Sequence, residues 1–134
     1  MTDSSILEKI TRNQTIPPAA EQEGEADDLG SFGWVRGNRE RSLMLELRKK
    51  TGNVVAISYA MLHKIEFDPS AGITLWFPGQ KIVLHGQQLN AEQRPNVRLF
   101  EGLTRHKVPW IQEVSQLSQF ETTKGITIVE RIDW

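Results

Sequence analysis

The chain has 134 residues, a net charge of −1 and no cysteine. This length predicts one domain, and the absence of cysteine excludes disulfides and thiolate chemistry. The first residues lack a basic stretch followed by an apolar one, and no apolar run reaches the length of a membrane span, so a cytoplasmic protein without a membrane partner is expected.

The charge is unevenly distributed along the chain. Residues 1–30 carry two basic and seven acidic side chains, which gives −5, whereas residues 31–134 carry fourteen basic and ten acidic ones, which gives +4. We therefore expect a flexible acidic arm over residues 1–30, attached to a mildly basic domain over residues 31–134. Asymmetry of this kind is a hint, at the level of composition, of binding to another molecule.

A short helix is predicted near residues 5–12 of the arm. Ser5 and Glu8 have the spacing of a capping box. The apolar stripe of this helix is Ile6, Leu7 and Ile10. Two turns are marginally stable in water, so the arm either frays, folds on a partner or docks on its own domain. The acidic stretch that continues to Asp28 is predicted to be a solvated linker.

A basic stretch occupies residues 36–50. Its positive side chains are Arg36, Arg39, Arg41, Arg48, Lys49 and Lys50. Trp34 precedes them, and cations beside an aromatic ring can follow a phosphate backbone and stack on bases. In the alternative interpretation, the last three cations solvate a hairpin tip and Trp34 packs at the edge of the core.

Five strands with short connections are predicted over residues 43–86. Alternating or β-branched stretches indicate strands at residues 43–48, 54–59, 64–67, 73–77 and 81–85. Turns rich in Gly, Asn and Pro separate these stretches. In the first strand, Leu43, Leu45 and Leu47 form one stripe, which we expect to face the core. Because the connections are short, neighbouring strands are expected to be antiparallel.

An amphipathic helix is predicted after Gly86. Its stripe at helical spacing consists of Val97, Phe100 and Leu103, with Lys107 continuing it. Pro95 suits the first turn of this helix, and Pro109 argues against a continuation past Val108. Residues 110–114 fit either a second helix or a strand, and residues 125–132 alternate as in a last strand.

These elements predict an α+β fold, a small antiparallel meander or open barrel of five or more strands with one helix packed on it. Pleckstrin-like and Sm-like small barrels are similar in general appearance. The similarity is one of pattern, since no motif of a known family accompanies it.

One face of the predicted sheet has no obvious cover. Met44, Trp76 and Val83 fall opposite the leucine stripe, and one short helix cannot cover both faces. We therefore predict that Met44, Trp76 and Val83, with Ile6, Leu7 and Ile10 of the arm, bind a protein partner or a second copy. The alternative is that the C-terminal segment, with Trp110, Ile111 and Leu117, covers this face. An open sheet edge is a further place where another chain can bind.

The sequence gives little support for a catalytic or metal-binding site. His63 with Glu66 and Asp68, or with His85, lacks the spacing of zinc sites, so neither a metal nor a cofactor is expected. Phosphate-binding glycine loops, nucleophile elbows and convergent paired carboxylates are not recognisable in the sequence. An enzyme is therefore not expected.

The leading functional hypothesis is a small cytoplasmic protein-interaction or scaffolding module without catalytic activity. The alternative is a small nucleic-acid-binding barrel in which residues 36–50 contact phosphates and the acidic arm competes for them. A weak enzyme or small-ligand binder, with its site in a barrel mouth, is a third hypothesis, and no residue is nominated for it.

Overall fold

A computed structural model of the protein describes residues 25–114 and 125–134. Within these residues the chain forms nine strands, one 3-10 turn at Tyr59–Met61 and one α-helix. The strands are β1 (Ala26–Asp28), β2 (Gly33–Val35), β3 (Met44–Arg48), β4 (Val54–Ser58), β5 (Lys64–Asp68), β6 (Gly72–Phe77), β7 (Gln80–Gln87), β8 (Trp110–Gln112) and β9 (Ile128–Asp133). The helix, α1, spans Leu99–Thr104. The predicted arm helix near residues 5–12, with Ile6, Leu7 and Ile10, lies outside the described residues, as does Leu117.

The strands of the described residues form three sheets, with orders β1-β2, β4-β3-β8 and β5-β6-β7-β9. These sheets do not close into a barrel. The predicted meander is therefore divided, since β3–β4 and β5–β6–β7 belong to different sheets. The 3-10 turn at Tyr59–Met61 lies between β4 and β5, where the chain passes from one sheet to the other. The fold is sheet-rich with one short helix, as the α+β prediction requires in its coarse form.

All five strands predicted between residues 43 and 86 are present, each within two residues of its predicted ends. The first hairpin turns at Gly52, whose φ of +101° is the left-handed conformation that the turn requires. Leu45 and Leu47 are buried, but the prediction for Leu43 is wrong because its side chain is 69% exposed. Leu43 precedes the first residue of β3 and so lies beyond the edge of the core.

The helix is shorter than predicted and starts later. Pro95 lies in a preceding turn, closed by a hydrogen bond from Val97 N–H to Arg94 O (2.9 Å), and not in the first turn of α1. The helix buries Leu99, Gly102 and Leu103, so Leu99 is a core residue that the predicted stripe did not include. Phe100 is half-buried, with its ring centroid 6.3 Å from that of Phe67.

The pairing of distant segments departs most from the predictions. Residues 110–112 form a strand, β8, which pairs with β3 in parallel and places Ile111 opposite Leu47. The strand predicted over residues 125–132 is β9, which pairs with β7. The solvated-linker prediction is wrong for residues 26–28, because they pair with β2 as β1, with Ala26 opposite Val35.

One hydrophobic core is formed by the two larger sheets together with the segment around β2 and with helix α1. Its fully buried large side chains are Phe32, Val35, Leu45, Leu47, Ile73, Leu75, Ile82, Leu84, Leu99, Leu103, Ile111 and Ile132. Six of the strands, β2, β3, β6, β7, β8 and β9, each contribute at least one of these side chains. Strands β4 and β5 contribute none, since their residues are half-buried or exposed. The core therefore depends on contacts between segments far apart in sequence.

Tyr59 anchors the 3-10 turn to this core. Its hydroxyl donates to Val108 O at 2.6 Å, and its ring stacks on His106 with centroids 4.4 Å apart. Burial raises the pKa of Tyr59.

Tyr59→Phe should lower the free energy of unfolding by about 1–2 kcal/mol, because the buried Val108 carbonyl loses its donor. Urea denaturation followed by tryptophan fluorescence measures this change, and an unchanged free energy would show that the bond contributes nothing.

Candidate interaction surface

The predicted partner-binding residues that the structure describes lie in two different sheets. Trp76 in β6 and Val83 in β7 share the outer face of the four-stranded sheet, since Val83 pairs with Thr74 two residues from Trp76. Met44 lies in β3 of the three-stranded sheet and is 44% exposed. The structure therefore brings Trp76 and Val83 together but does not place Met44 beside them in one sheet.

The outer face around Trp76 is largely charged. Lys64 Nζ lies 4.4 Å from the centroid of the Trp76 ring, and both Trp76 and Val83 are half-buried. Strand register places six further polar or charged side chains on this face, namely Glu66, Asp68, Lys81, His85, Arg131 and Asp133. Trp110 and Ile111 do not cover the face, because Ile111 is in the core and Trp110 lies beneath Arg48 in the other sheet.

The edge strands of the sheets differ in length and in charge. In the described part of the chain, six strands end a sheet, namely β1, β2, β4, β5, β8 and β9. Two of these edges already contact another segment, since Val35 of β2 donates its N–H to Lys107 O (2.8 Å) and β8 is bridged to Phe32. Strand β9 carries Glu130, Arg131 and Asp133. Strand β1 is only three residues long and carries two aspartates. Strand β5 places Lys64, Glu66 and Asp68 at alternate exposed positions. Short length and charged side chains are the usual protection of an edge against pairing with another chain.

Strand β4 has neither protection. Its five residues, Val54–Ser58, carry no charge and no proline. Val54 is 53% exposed, and Ala56 is exposed beside it on the same side of the strand. Exposed apolar side chains, Leu43, Met44 and Met61, lie near the other end of the β3–β4 hairpin. We call the outward side of Val54–Ser58 the β4 edge.

The hydrogen-bond pattern identifies the backbone groups that the β4 edge presents. Tyr59 N–H donates to Leu43 O (3.0 Å) and Lys49 N–H donates to Asn53 O (2.8 Å) at the two ends of the β3–β4 ladder. Antiparallel pairs alternate between bonded and non-bonded, so the residues between these ends alternate as well. Val54, Ala56 and Ser58 therefore direct their N–H and C=O groups away from β3.

The same alternation is visible on the other side of β3. Glu46, opposite Ala56, points its backbone away from β4 and donates its N–H to Pro109 O at 3.0 Å. Thus β8 satisfies the outward backbone groups of β3, while those of β4 have no backbone partner among the described residues.

Trp34 is largely buried, but part of it lines a small cleft together with Arg41 and Lys107. Its side chain is 8% exposed, and a Cβ added at Gly102 would be 2.5 Å from its ring. The indole therefore packs directly against the backbone of α1. This burial favours the alternative interpretation, in which Trp34 packs at the edge of the core, and base stacking by Trp34 stays a prediction.

The basic stretch is divided by β3. Arg36, Arg39 and Arg41 precede the strand, whereas Arg48, Lys49 and Lys50 lie at its end or beyond it. Five residues of extended chain separate the two groups by about 14 Å. The six cations are therefore grouped at the two ends of β3.

Several of these cations already have partners. Arg36 Nε lies 2.8 Å from Asp27 Oδ1, and Arg94 Nη2 lies 2.5 Å from Asp27 Oδ2. Hydrogen bonds from Arg94 and Arg36 lower the pKa of Asp27. The remaining contacts are those of Arg48 with Glu46 (2.6 Å) and the Trp110 ring (4.7 Å), and of Lys49 with the Trp134 ring (4.2 Å).

The histidines do not converge on a metal site in the described residues, which contain no cluster of three or more His, Asp and Glu able to hold an ion. His85 Nε2 instead lies 2.9 Å from Asp133 Oδ2. Hydrogen bonds from Arg131 and His85 lower the pKa of Asp133. The side chain of His63 is exposed, and its backbone N–H donates to the backbone carbonyl of Trp76 at 3.0 Å.

A polar cleft of about 470 Å³ lies beside His85. Ser70, Asn90 and Glu130 also line it. Asn90 Oδ1 is buried and has no hydrogen-bond partner among the described atoms. Buried acceptors are normally satisfied by protein or water, so this cleft is the part of the structure closest to the small-ligand hypothesis.

The β4 edge was not predicted as a site from the sequence. The absence of charge from residues 54–58 was visible, but that signal acquires meaning only when β4 is known to end a sheet. None of the helices in the described ranges has the length and apolar character needed to cross a membrane. Comparisons with protein-family models, curated proteins and solved structures found no match to this chain, so the similarity to small barrels stays a prediction.

Proposed function

We propose that this protein is a binding module, without catalytic activity, that associates through its β4 edge, and that its partner is a second copy of the same chain. The observation that carries this proposal is the contrast between edges. Strand β4 carries no charged side chain, and its outward backbone groups are unpaired among the described residues. In contrast, β1, β5 and β9 carry charged side chains, and β2 and β8 contact other segments. An extended strand from another chain can add to such an edge.

The composition of β4 favours pairing with itself. In an antiparallel pair about a two-fold axis, Ala56 lies opposite Ala56 of the partner and Val54 lies opposite Ser58. Since β4 carries no charge, this pairing brings no like charges together. A two-fold contact is closed, so it forms a dimer rather than a filament. The two three-stranded sheets would become one sheet of six strands.

Apolar side chains beside the edge support the same arrangement. Met44 pairs with Ser58 across the β3–β4 ladder, so it lies near the end of the proposed strand pair. Met44 and Val54 are both exposed and lie on the outer face of this sheet. Their burial against the partner would add hydrophobic stabilisation to the backbone hydrogen bonds.

The nucleic-acid hypothesis has less support from the geometry. Trp34 is a core residue, and the cations of residues 36–50 lie at both ends of β3. Neither feature provides the continuous basic and aromatic track that single-strand binding uses.

The test of the proposed function is the oligomeric state of two β4 variants. We expect a concentration-dependent dimer by sedimentation velocity, and Ala56→Lys should make it monomeric because two lysines would face each other at the axis. Ala56→Pro should have the same effect, since proline removes an outward donor and leaves the ladder with β3 intact. Circular dichroism checks that both variants fold.

Glu66→Lys, which places the same side chain at an exposed position of β5, is the matched control and should leave the dimer unchanged. A wild-type chain that stays monomeric at every concentration would contradict the proposal. A dimer that survives both Ala56 substitutions would contradict the use of the β4 edge.

A further inference from the structure

A second cleft, of about 250 Å³, lies away from the β4 edge. It is enclosed by the loop before β3, the turn before α1 and the segment that follows α1. Three of its lining side chains are cations, Arg41, Arg105 and Lys107, and two carry amides, Asn38 and Asn96. No acidic side chain is among its lining residues. The cleft is therefore a concentration of positive charge and hydrogen-bond donors.

Lys107 forms the buried wall of this basic cleft. The residue is only 6% exposed, and its ammonium donates to Gly37 O (2.5 Å) and Glu40 O (3.1 Å). An ammonium has three protons, so two carbonyls leave one donor for another acceptor. The two carbonyls orient the Lys107 ammonium, but as neutral groups they do not compensate its positive charge.

Arg41 and Arg105 add two guanidinium groups. Arg41 Nη1 donates to Asn38 O (3.3 Å) and Glu40 O (2.9 Å), which holds the side chain while its other N–H groups stay available. The side chain of Arg105 makes no hydrogen bond or ion pair with the described residues. Within the described residues, neither guanidinium is therefore paired with a carboxylate, in contrast to Arg36 and Arg94, which share Asp27.

Burial and nearby charge both act on Lys107 and His106. Burial, with a smaller contribution from Arg41, lowers the pKa of Lys107, whereas the Glu40 carboxylate acts in the opposite direction. Burial and Arg41 also lower the pKa of His106, which is next to Lys107 in the chain. Positive charge is thus disfavoured at this position in the free protein, and a bound anion would relieve that repulsion.

The backbone around the basic cleft adopts conformations that L-residues rarely use. Asn96 lines the cleft with a φ of +66°, and His106, between two lining residues, has a φ of +59°. Such residues persist only where the surrounding structure holds them, and they are concentrated at ligand sites. This feature accompanies the charge cluster and does not by itself define a ligand.

We propose that the basic cleft binds the phosphate group of a small phosphomonoester or free phosphate. Arg41 and Arg105 supply guanidinium donors that match phosphate oxygens, and Lys107 supplies a point charge at the buried end. Three cations suit a phosphate of about −1.5 to −2 charges better than a single carboxylate. The volume is below the range of about 300–1,000 Å³ of drug-sized sites, which favours a compact ligand over a strand of nucleic acid.

The proposal is tested by titrating the full chain with inorganic phosphate and with glycerol phosphate in an isothermal calorimeter, in a buffer free of phosphate. Both probes should bind, and acetate should not. Arg105→Gln should weaken phosphate binding by roughly tenfold or more, since it removes a charged hydrogen bond without removing a protein partner. Arg41→Gln should have an effect of similar size.

Arg39→Gln is the matched control. Arg39 belongs to the same loop and is exposed, but it does not line the basic cleft. Its substitution removes the same charge and should leave phosphate affinity nearly unchanged. Three results would overturn the proposal, namely no binding of either phosphate probe, equal binding of acetate, or equal losses for Arg39→Gln and Arg105→Gln. None of these results depends on the β4 edge, so this proposal and the proposed dimer stand or fall separately.

Discussion

Gly86→Ala should destabilise the protein by at least about 3 kcal/mol, because overpacking against backbone cannot be relieved by rotating a side chain. Gly86 lies in β7 at the point where its register with β9 shifts. A Cβ at this position would be 1.9 Å from Ile128 O and 3.0 Å from Val129 Cα. Both are backbone atoms of β9, so relief requires that the strands separate. Separation would displace Val129 and Ile132, which are fully buried core residues.

The measurement is the free energy of unfolding from chemical denaturation, with Gly52→Ala as the control. A Cβ at Gly52 meets no atom within 4 Å, but its φ of +101° is strained for alanine. That strain alone should cost about 1–2 kcal/mol. If Gly86→Ala costs no more than Gly52→Ala, the close approach of β7 and β9 at Gly86 is incorrect.

Trp34→Ala should have an effect of comparable size, with an expected loss of about 3–5 kcal/mol. The indole is 8% exposed and packs against Gly102 of α1. Its truncation would leave a cavity between the segment around β2 and the helix, which the rigid backbone at Gly102 cannot fill. Since small domains have total stabilities of about 5–15 kcal/mol, this loss should be evident as a large fall in the midpoint of thermal unfolding.

Trp76→Ala is the control for the Trp34 prediction, because it removes the same side chain from a half-buried position on the outer face of β6. It should lower stability by a clearly smaller amount. The comparison also separates the two interpretations of Trp34. A stacking residue on an open surface would be dispensable for folding, so an unchanged stability of Trp34→Ala would favour the nucleic-acid interpretation.

Local patterns in the sequence determined where most strands begin and end. The alternation of Ile73, Leu75 and Phe77 with Thr74 and Trp76 reflects one buried and one outer face, and β6 has both. Turn residues at 50–53 separated β3 from β4 for an equally local reason. Strand β2 escaped prediction because Gly33, Trp34 and Val35 are all buried, so no alternation marks them.

The identity of the chemical groups at both proposed sites was also determined by the sequence. Residues 54–58 lack charge, and Arg41, Arg105 and Lys107 are basic, whatever the fold. The sequence did not determine the roles of these residues. An uncharged strand suggests a binding edge only if it ends a sheet, and the sequence does not show which strands do. Lys107 was assigned to a helix stripe, whereas its ammonium in fact bonds to the loop before β3.

Only the tertiary structure decided which segments meet. Parallel pairing of β3 with β8 places Leu47 opposite Ile111 and leaves β4, not β3, at the open edge. Beside this pair, Lys50 N–H donates to Glu113 Oε1 across 63 residues of sequence. The periodicity of a segment records which of its own faces is buried, but not what buries it. Edge strands and the basic cleft depend on contacts between distant segments, which are set by the packing of the whole core.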